Sequence, residues 1–163
     1  MIGNKEEHCP ICGMKVDSGR LTVEYHKMFF HFCSEQCRET FNDRPALYSG
    51  RRAKERGEVV KRRRLRLAES LDSETAQAVT EYLQAMMGVK ESHVVGRWLM
   101  VRYDLLQLTL AQIERALHEV DVKLDNGWWQ NSKRGWARHT EENELNNLVA
   151  TPGACCNRPP PRI

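Results

Sequence analysis

The chain has 163 residues, of which 40% are hydrophobic and 29% charged, with a formal net charge of +3. This suits one ordinary domain or two small ones and excludes a wholly disordered chain. The longest apolar runs fall far short of the ~20 residues of a membrane span, and so balanced a charge gives little drive for non-specific nucleic-acid binding.

The first residues, Met1 to His8, are polar and acidic and lack the apolar core of a secretory signal, so a cytoplasmic protein is predicted. In a reducing compartment clustered cysteines are metal ligands before they are disulfides. Charge is uneven along the chain: residues 51–66 hold nine basic and two acidic side chains, and residues 67–125 hold five basic and ten acidic. A break this sharp predicts a connector between two units. The predicted organisation is a metal module over 1–50, a basic linker over 51–60, an α+β domain over 61–126 and a C-terminal extension over 127–163.

Four of the six cysteines fall in two short pairs, Cys9-x-x-Cys12 and Cys33-x-x-x-Cys37, with twenty residues between the pairs. A thiolate metal site needs two such pairs brought together by a turn of chain. Gly13 permits the tight knuckle after Cys12. Ser34 is a good N-cap, which places Cys33 just before a helix and Cys37 in its first turn, where the helix N-terminus favours thiolates. Between the pairs, 21–25 and 28–33 are rich in β-branched and aromatic residues and predict a hairpin closed by His26-Lys27. Strand alternation puts Met28, Phe30 and Phe32 on one face, to be joined by Phe41 in a small core that a metal staple would support. The cofactor expected is a metal ion, zinc first, with Cu(I) or Hg(II) as softer alternatives. A purely structural four-cysteine zinc site is the competing reading. His31 shares the Cys33 face and is a candidate spare ligand; His8 is a weaker one.

The residues Cys9-Pro-Ile-Cys-Gly-Met, then Val-Glu-Tyr-His, then Phe-His-Phe-Cys-Ser-Glu-Gln-Cys-Arg-Glu-Thr-Phe and the ending Pro-Ala-Leu-Tyr48 resemble a YHS domain of the wider TRASH-like group. The resemblance spans about residues 8–49. It implies a treble-clef-like metal module of the kind found in heavy-metal ATPases, copper-responsive regulators and small metal-handling proteins.

The basic run from Arg51 to Arg66 could contact phosphates, or could be a solvated linker entering an edge strand. Alternation favours the strand, with Val59, Lys61, Arg63, Leu65 and Leu67 on one face. No aromatic residue interleaves with these charges along the sequence, so a stacking surface is not predicted.

Residues 61–125 read as strand, helix, strand, strand, helix, strand, which predicts a ferredoxin-like sandwich. The strands are placed at about 61–68, 92–95, 98–103 and 122–124. The first helix is placed over 73–87, with an apolar stripe of Ala76, Val79, Leu83 and Met86 and a stop at Gly88. The second starts at the Thr109-x-x-Gln112 capping box, with Leu110, Ile113, Leu117 and Val120 inward. In pattern and length this unit resembles a heavy-metal-associated domain. The Cys-x-x-Cys loop of that family is absent, and Ser70-Leu-Asp-Ser-Glu-Thr75 stands in its place, so no metal site is carried over. Met86, Met87 and Met100 are read as core fillers, and His93 and His118 as isolated.

In the extension, Trp128, Trp129 and Trp136 are expected to pack onto the second unit, and a short helix is placed over 140–149. The final stretch is Pro-rich and carries Cys155-Cys156, a possible second metal site, since two thiolates suit Hg(II) and Cu(I). That dipeptide alone resembles the C-terminal pair of mercuric reductases.

The function these features favour is non-enzymatic binding of a thiophilic ion for sequestration, sensing or delivery, with no nucleophile–base pair or phosphate loop visible. The partner would be a metal-handling protein or a second copy of the chain. The alternatives are an adaptor with structural zinc, and a nucleic-acid-binding regulator acting through Arg51–Arg66.

Overall fold

The computed structural model describes residues 8–16, 21–49 and 57–149. Gly19, the segment 51–56 of the basic run, and Cys155, Cys156 and the Pro-rich end lie outside the described residues.

The hairpin forms where β-branched and aromatic residues cluster: strand β1 is Thr22–Tyr25, strand β2 is Met28–His31, and they pair antiparallel with Tyr25 opposite Met28. His26 and Lys27 close it, both at positive φ (51° and 63°), the geometry of a two-residue turn that matches strand twist. Helix α1, Glu35–Asp43, starts at Ser34, whose hydroxyl accepts the Cys37 N–H. A short helix α2, Pro45–Tyr48, follows. Phe41 is fully buried and collects the rings of Tyr25, Phe30, Phe32 and Tyr48, with centroids 4.8 to 6.3 Å away. Met28 was expected in this core but is 48% exposed, because it sits at the turn, beyond the reach of α1.

The second part is α+β and ferredoxin-like. Strands β3 (Val60–Arg66), β4 (Val89–Val95) and β5 (Trp98–Asp104) form an antiparallel sheet in the order β3-β5-β4. Helix α3 (Ser73–Gln84) and helix α4 (Leu110–Glu119) cover one face. Leu65, Leu67, Leu99, Val101 and Tyr103 from the sheet meet Val79, Leu83, Leu110, Ile113 and Leu117 from the helices. Leu47 of α2 belongs to this larger core, which fastens the hairpin-and-helix part to the sheet. The capping box forms as anticipated: Thr109 accepts the Gln112 N–H and the Gln112 side chain accepts the Thr109 N–H. Gly88 has φ of +93°, and a Cβ there would lie 2.8 Å from the Gln107 Cβ, so the turn into β4 needs glycine.

Several expectations are corrected. The fourth strand is reduced to one bridge, Leu67 with Leu124, flanked by the Ala68 N–H to Lys123 and the Asp125 N–H to Arg66. Beyond it the Arg134 guanidinium holds the Asp125 carbonyl at 2.6 Å and the chain turns into a helix instead of pairing further. Val120 is 39% exposed, since α4 ends at Glu119 and Asp121 takes φ of +55°. Met100 lies on the outer sheet face and fills no core.

The C-terminal extension forms a 22-residue helix, α5, Trp128–Val149, far longer than the short helix placed over 140–149. The tryptophans do not pack on the sheet: Trp128, Trp129 and Trp136 are 71%, 68% and 74% exposed. At 100° per residue Arg134, Glu141 and Leu145 share the inward face, and the tryptophans fall on the far side. α5 is held by charge as well as by Ala137, Leu145 and Leu148, which pack on the larger core. Arg134 and Arg138 pair with Glu114 of α4, Lys61 pairs with Glu144, and Arg63 pairs with buried Glu141. No described helix is long and apolar enough to cross a membrane.

Candidate metal centre

The knuckle is built by backbone bonds: the Gly13 N–H donates to the Cys9 carbonyl and the Cys9 N–H to the Met14 carbonyl, both at 2.8 Å. Gly13 takes φ of +74°, which turns the chain back so that Cys9 and Cys12 face the same way. The second pair comes from the β2 end and the first turn of α1. Four Sγ atoms, from Cys9, Cys12, Cys33 and Cys37, lie within 4.8 Å of one another, and no other such group of donors occurs among the described residues. Cys12 and Cys33 are 3.3 Å apart, Cys33 and Cys37 are 3.7 Å apart, and all four are free thiols.

This donor set fits a tetrahedral ion. Zinc–sulfur bonds of about 2.3 Å imply sulfur–sulfur edges of about 3.8 Å, inside the observed spread. Cys9 and Cys37 are buried, while Cys12 and Cys33 are half-buried, so the cluster has a dry side and a wet side. A hydrogen bond from the Cys37 thiol pulls the Cys9 thiol down to about 4. The same bond, with burial, pushes Cys37 up. Burial raises Cys12 to about 12. The shared hydrogen bond thus favours the thiolate at Cys9 and the thiol at Cys37, and burial favours the thiol at Cys12.

His31 and His8 do not join the cluster. His31 Nδ1 lies 2.9 Å from the Thr22 hydroxyl on the neighbouring strand, and His8 bridges to Lys15. In the second unit the loop at Ser70 to Thr75 is a helix cap: Asp72 accepts the Thr75 N–H and hydroxyl, and those bonds hold its carboxyl below the ordinary carboxylate value. His93 sits exposed on the sheet and His118 in the last turn of α4.

Gln36 was not singled out by the sequence, yet it ties the cluster to the sheet domain. Its amide donates to the Met87 carbonyl at 2.8 Å and accepts the Met87 N–H at 3.3 Å. One residue away, Cys37 carries a sulfur of the cluster. Thr40 with Gln112 and Glu39 with Arg115 extend the same seam. Nothing local marks Gln36, because its partner is 51 residues away.

The YHS domain family model matches residues 8–52. No curated protein matches the chain. Among solved structures, a CopZ metallochaperone aligns with a TM-score of 0.38 at 18% identity, over 40% of this chain and 100% of that one. The N-terminal soluble domains of Bacillus subtilis CopA align with a TM-score of 0.40 at 17% identity, over 42% of this chain and 48% of that one, so the match spans about half of their length. Neither structural likeness bears on what this chain binds. The family match and the four clustered cysteines together support a heavy-metal-binding role: residues 8–52 are similar to the YHS domain family and are followed by a ferredoxin-like α+β unit.

Proposed function

We propose that Cys9, Cys12, Cys33 and Cys37 bind one thiophilic metal ion and that the protein holds or passes on that ion without acting as an enzyme. The observation that carries this is the four sulfur atoms within 4.8 Å, two buried and two half-buried. Four-thiolate sets take zinc and, more tightly, softer ions such as Cu(I) or Hg(II). The buried pair would anchor the ion, and the Cys12–Cys33 edge would be where a thiol of a metal-handling partner attacks and replaces one ligand. Cys155 and Cys156 could supply such thiols from within the chain.

A second reading, structural zinc in an adaptor, is favoured by the Gln36–Met87 pairing, which makes the loaded cluster a brace between the two parts of the fold. One experiment separates them. The reduced protein is loaded with zinc and challenged with a small dithiol chelator. Ligand exchange predicts transfer within minutes, the dithiol bonding the ion as cysteine–metal bonds break, and faster transfer from Cys12→Ser, which has one thiolate fewer to displace. Zinc that stays bound for hours while the fold persists overturns the exchange reading.

The thiol environments set the pH dependence. Cys12 and Cys37 are raised, so near neutral pH both hold protons that an incoming ion must displace, whereas Cys9 is lowered and gives up its proton most readily. Affinity therefore rises with pH, by at least roughly 100-fold per unit for the protons that Cys12 and Cys37 alone must give up, and falls as acid competes. Zinc titrations by calorimetry in buffers of different ionisation enthalpy measure the protons released. An affinity flat between about pH 6 and 8 contradicts it.

A further inference from the structure

The sheet sorts the basic run by side. Lys61 and Arg63 point inward and are neutralised by Glu144 and Glu141 of α5. Arg62 and Arg64 point outward, exposed, and no carboxylate pairs with either among the described residues. Pairing across the sheet then sets Arg62 beside Arg102, Arg64 beside Met100 and Arg66 beside Trp98. Sequence order hides this: the aromatic absent from the run arrives from β5. The Arg64 guanidinium lies over the Trp98 ring, 4.2 Å from its centroid, and Arg66 is at 5.8 Å.

A shallow groove of about 470 Å³ crosses this face, lined by Arg62, Arg64, Glu91, His93, Met100 and Arg102. Its one carboxylate, Glu91, is 3.8 Å from Arg102. The Arg102 Nε is buried with no hydrogen-bond partner among the described residues. The acidic residues Glu74, Glu81 and Glu119 sit on α3 and α4, the helices covering the opposite face. The molecule is thus polarised through the sheet, cationic outside and acidic behind.

We infer that the outer face of the β3-β5-β4 sheet binds single-stranded nucleic acid, with Arg62, Arg64 and Arg102 on its phosphates and a base stacked at Trp98. Outward residues on one strand recur about every 6.6 Å, one phosphate step of an extended strand, which suits successive contacts from Arg62 and Arg64. An aromatic among cations gives bases a sequence-tolerant platform. An acidic protein partner would use the arginines but not the Trp98 ring beside them. This surface is separate from the cysteine cluster and needs no metal exchange.

The test uses the full reduced chain loaded with zinc and fluorescent 12-nucleotide oligo(dT) and oligo(U), beside a duplex of equal length and a poly-glutamate peptide. Single strands are expected to bind best, with log K falling against log salt at a slope of about −2 for three phosphates. Arg62→Glu with Arg64→Glu should weaken binding at least tenfold without moving the melting temperature, since both side chains are exposed. Trp98→Ala should weaken it about fivefold and Trp98→Phe much less. Should Trp98→Ala melt early, the quenching of Trp98 emission by the oligonucleotide, lost in Trp98→Phe, decides the stacking contact. Charge reversal without effect, duplex or poly-glutamate bound as tightly as the single strands, or no quenching at Trp98 overturns the inference. DNA bound better than RNA, or the reverse, supports it and identifies the sugar preferred.

Discussion

Cys37→Ser should leave the protein without a metal ion and melt its N-terminal part while the sheet survives. Cys37 is 1% exposed and donates from the first turn of α1, so no water or neighbouring oxygen can replace its sulfur cheaply. Structural zinc sites of this kind are worth about 10–16 kcal/mol of folding free energy in small domains, and a hard hydroxyl forfeits a large part of that. The apolar cluster around the site has five buried members, Cys9, Ile11, Phe32, Cys37 and Phe41, two of them ligands. So small a core does not hold a hairpin and a helix alone. Elemental analysis should show the loss of one metal equivalent, and hydrogen exchange should show β1, β2 and α1 unprotected. The β3–β5 amides should remain protected, because their core has fifteen buried members. His31→Ala is the control and should keep its metal. A Cys37→Ser protein that still holds one tightly bound ion would place the site elsewhere.

Local signals carried far in this chain. Ser34 and Thr109 marked helix starts because capping is decided within four residues. The cysteine pairs announced their site because each pair is a short-range motif, and only the closure of the hairpin was needed to unite them. What depended on distant partners was hidden. Trp128, Trp129 and Trp136 suggested burial by their size, but the phase of α5 is set by Arg134, Glu141 and Leu145, whose partners lie on α4, β3, β5 and α2. The helix that carries Glu141 was placed too late by twelve residues. The outer sheet face was invisible for the same reason: cross-strand register, not sequence order, brings Trp98 to Arg66.

Glu141→Ala is expected to cost about 3–5 kcal/mol, the usual penalty for removing one partner of a buried ion pair. Glu141 is 2% exposed and three elements converge on it. Arg63 of β3 donates through Nε and Nη2 at 3.1 and 2.9 Å, and the Tyr103 hydroxyl of β5 donates as well. The N–H of Leu110, the first residue of α4, donates at 2.9 Å to the other oxygen. A residue of α5 thus caps α4 and fixes the sheet at once, with its charge at the positive end of the α4 dipole. Burial, and next the carboxylate itself, push the Tyr103 hydroxyl up, so it stays protonated and able to donate. Alanine strands a guanidinium, a hydroxyl and a helix-terminal amide together. For a chain of this length the melting temperature should fall by roughly 10 °C. Glu141→Gln retains acceptor capacity for the amide and the hydroxyl but not the charge, and should fall between the two. Replacing Glu141, Arg63 and Tyr103 together by leucine, methionine and phenylalanine should recover part of the loss, because it removes the stranded guanidinium and hydroxyl and leaves only the Leu110 N–H unpaired. Thermal melts of the three variants decide it: an alanine variant within about 2 °C of the parent would show that α5 is held by its surface pairs alone.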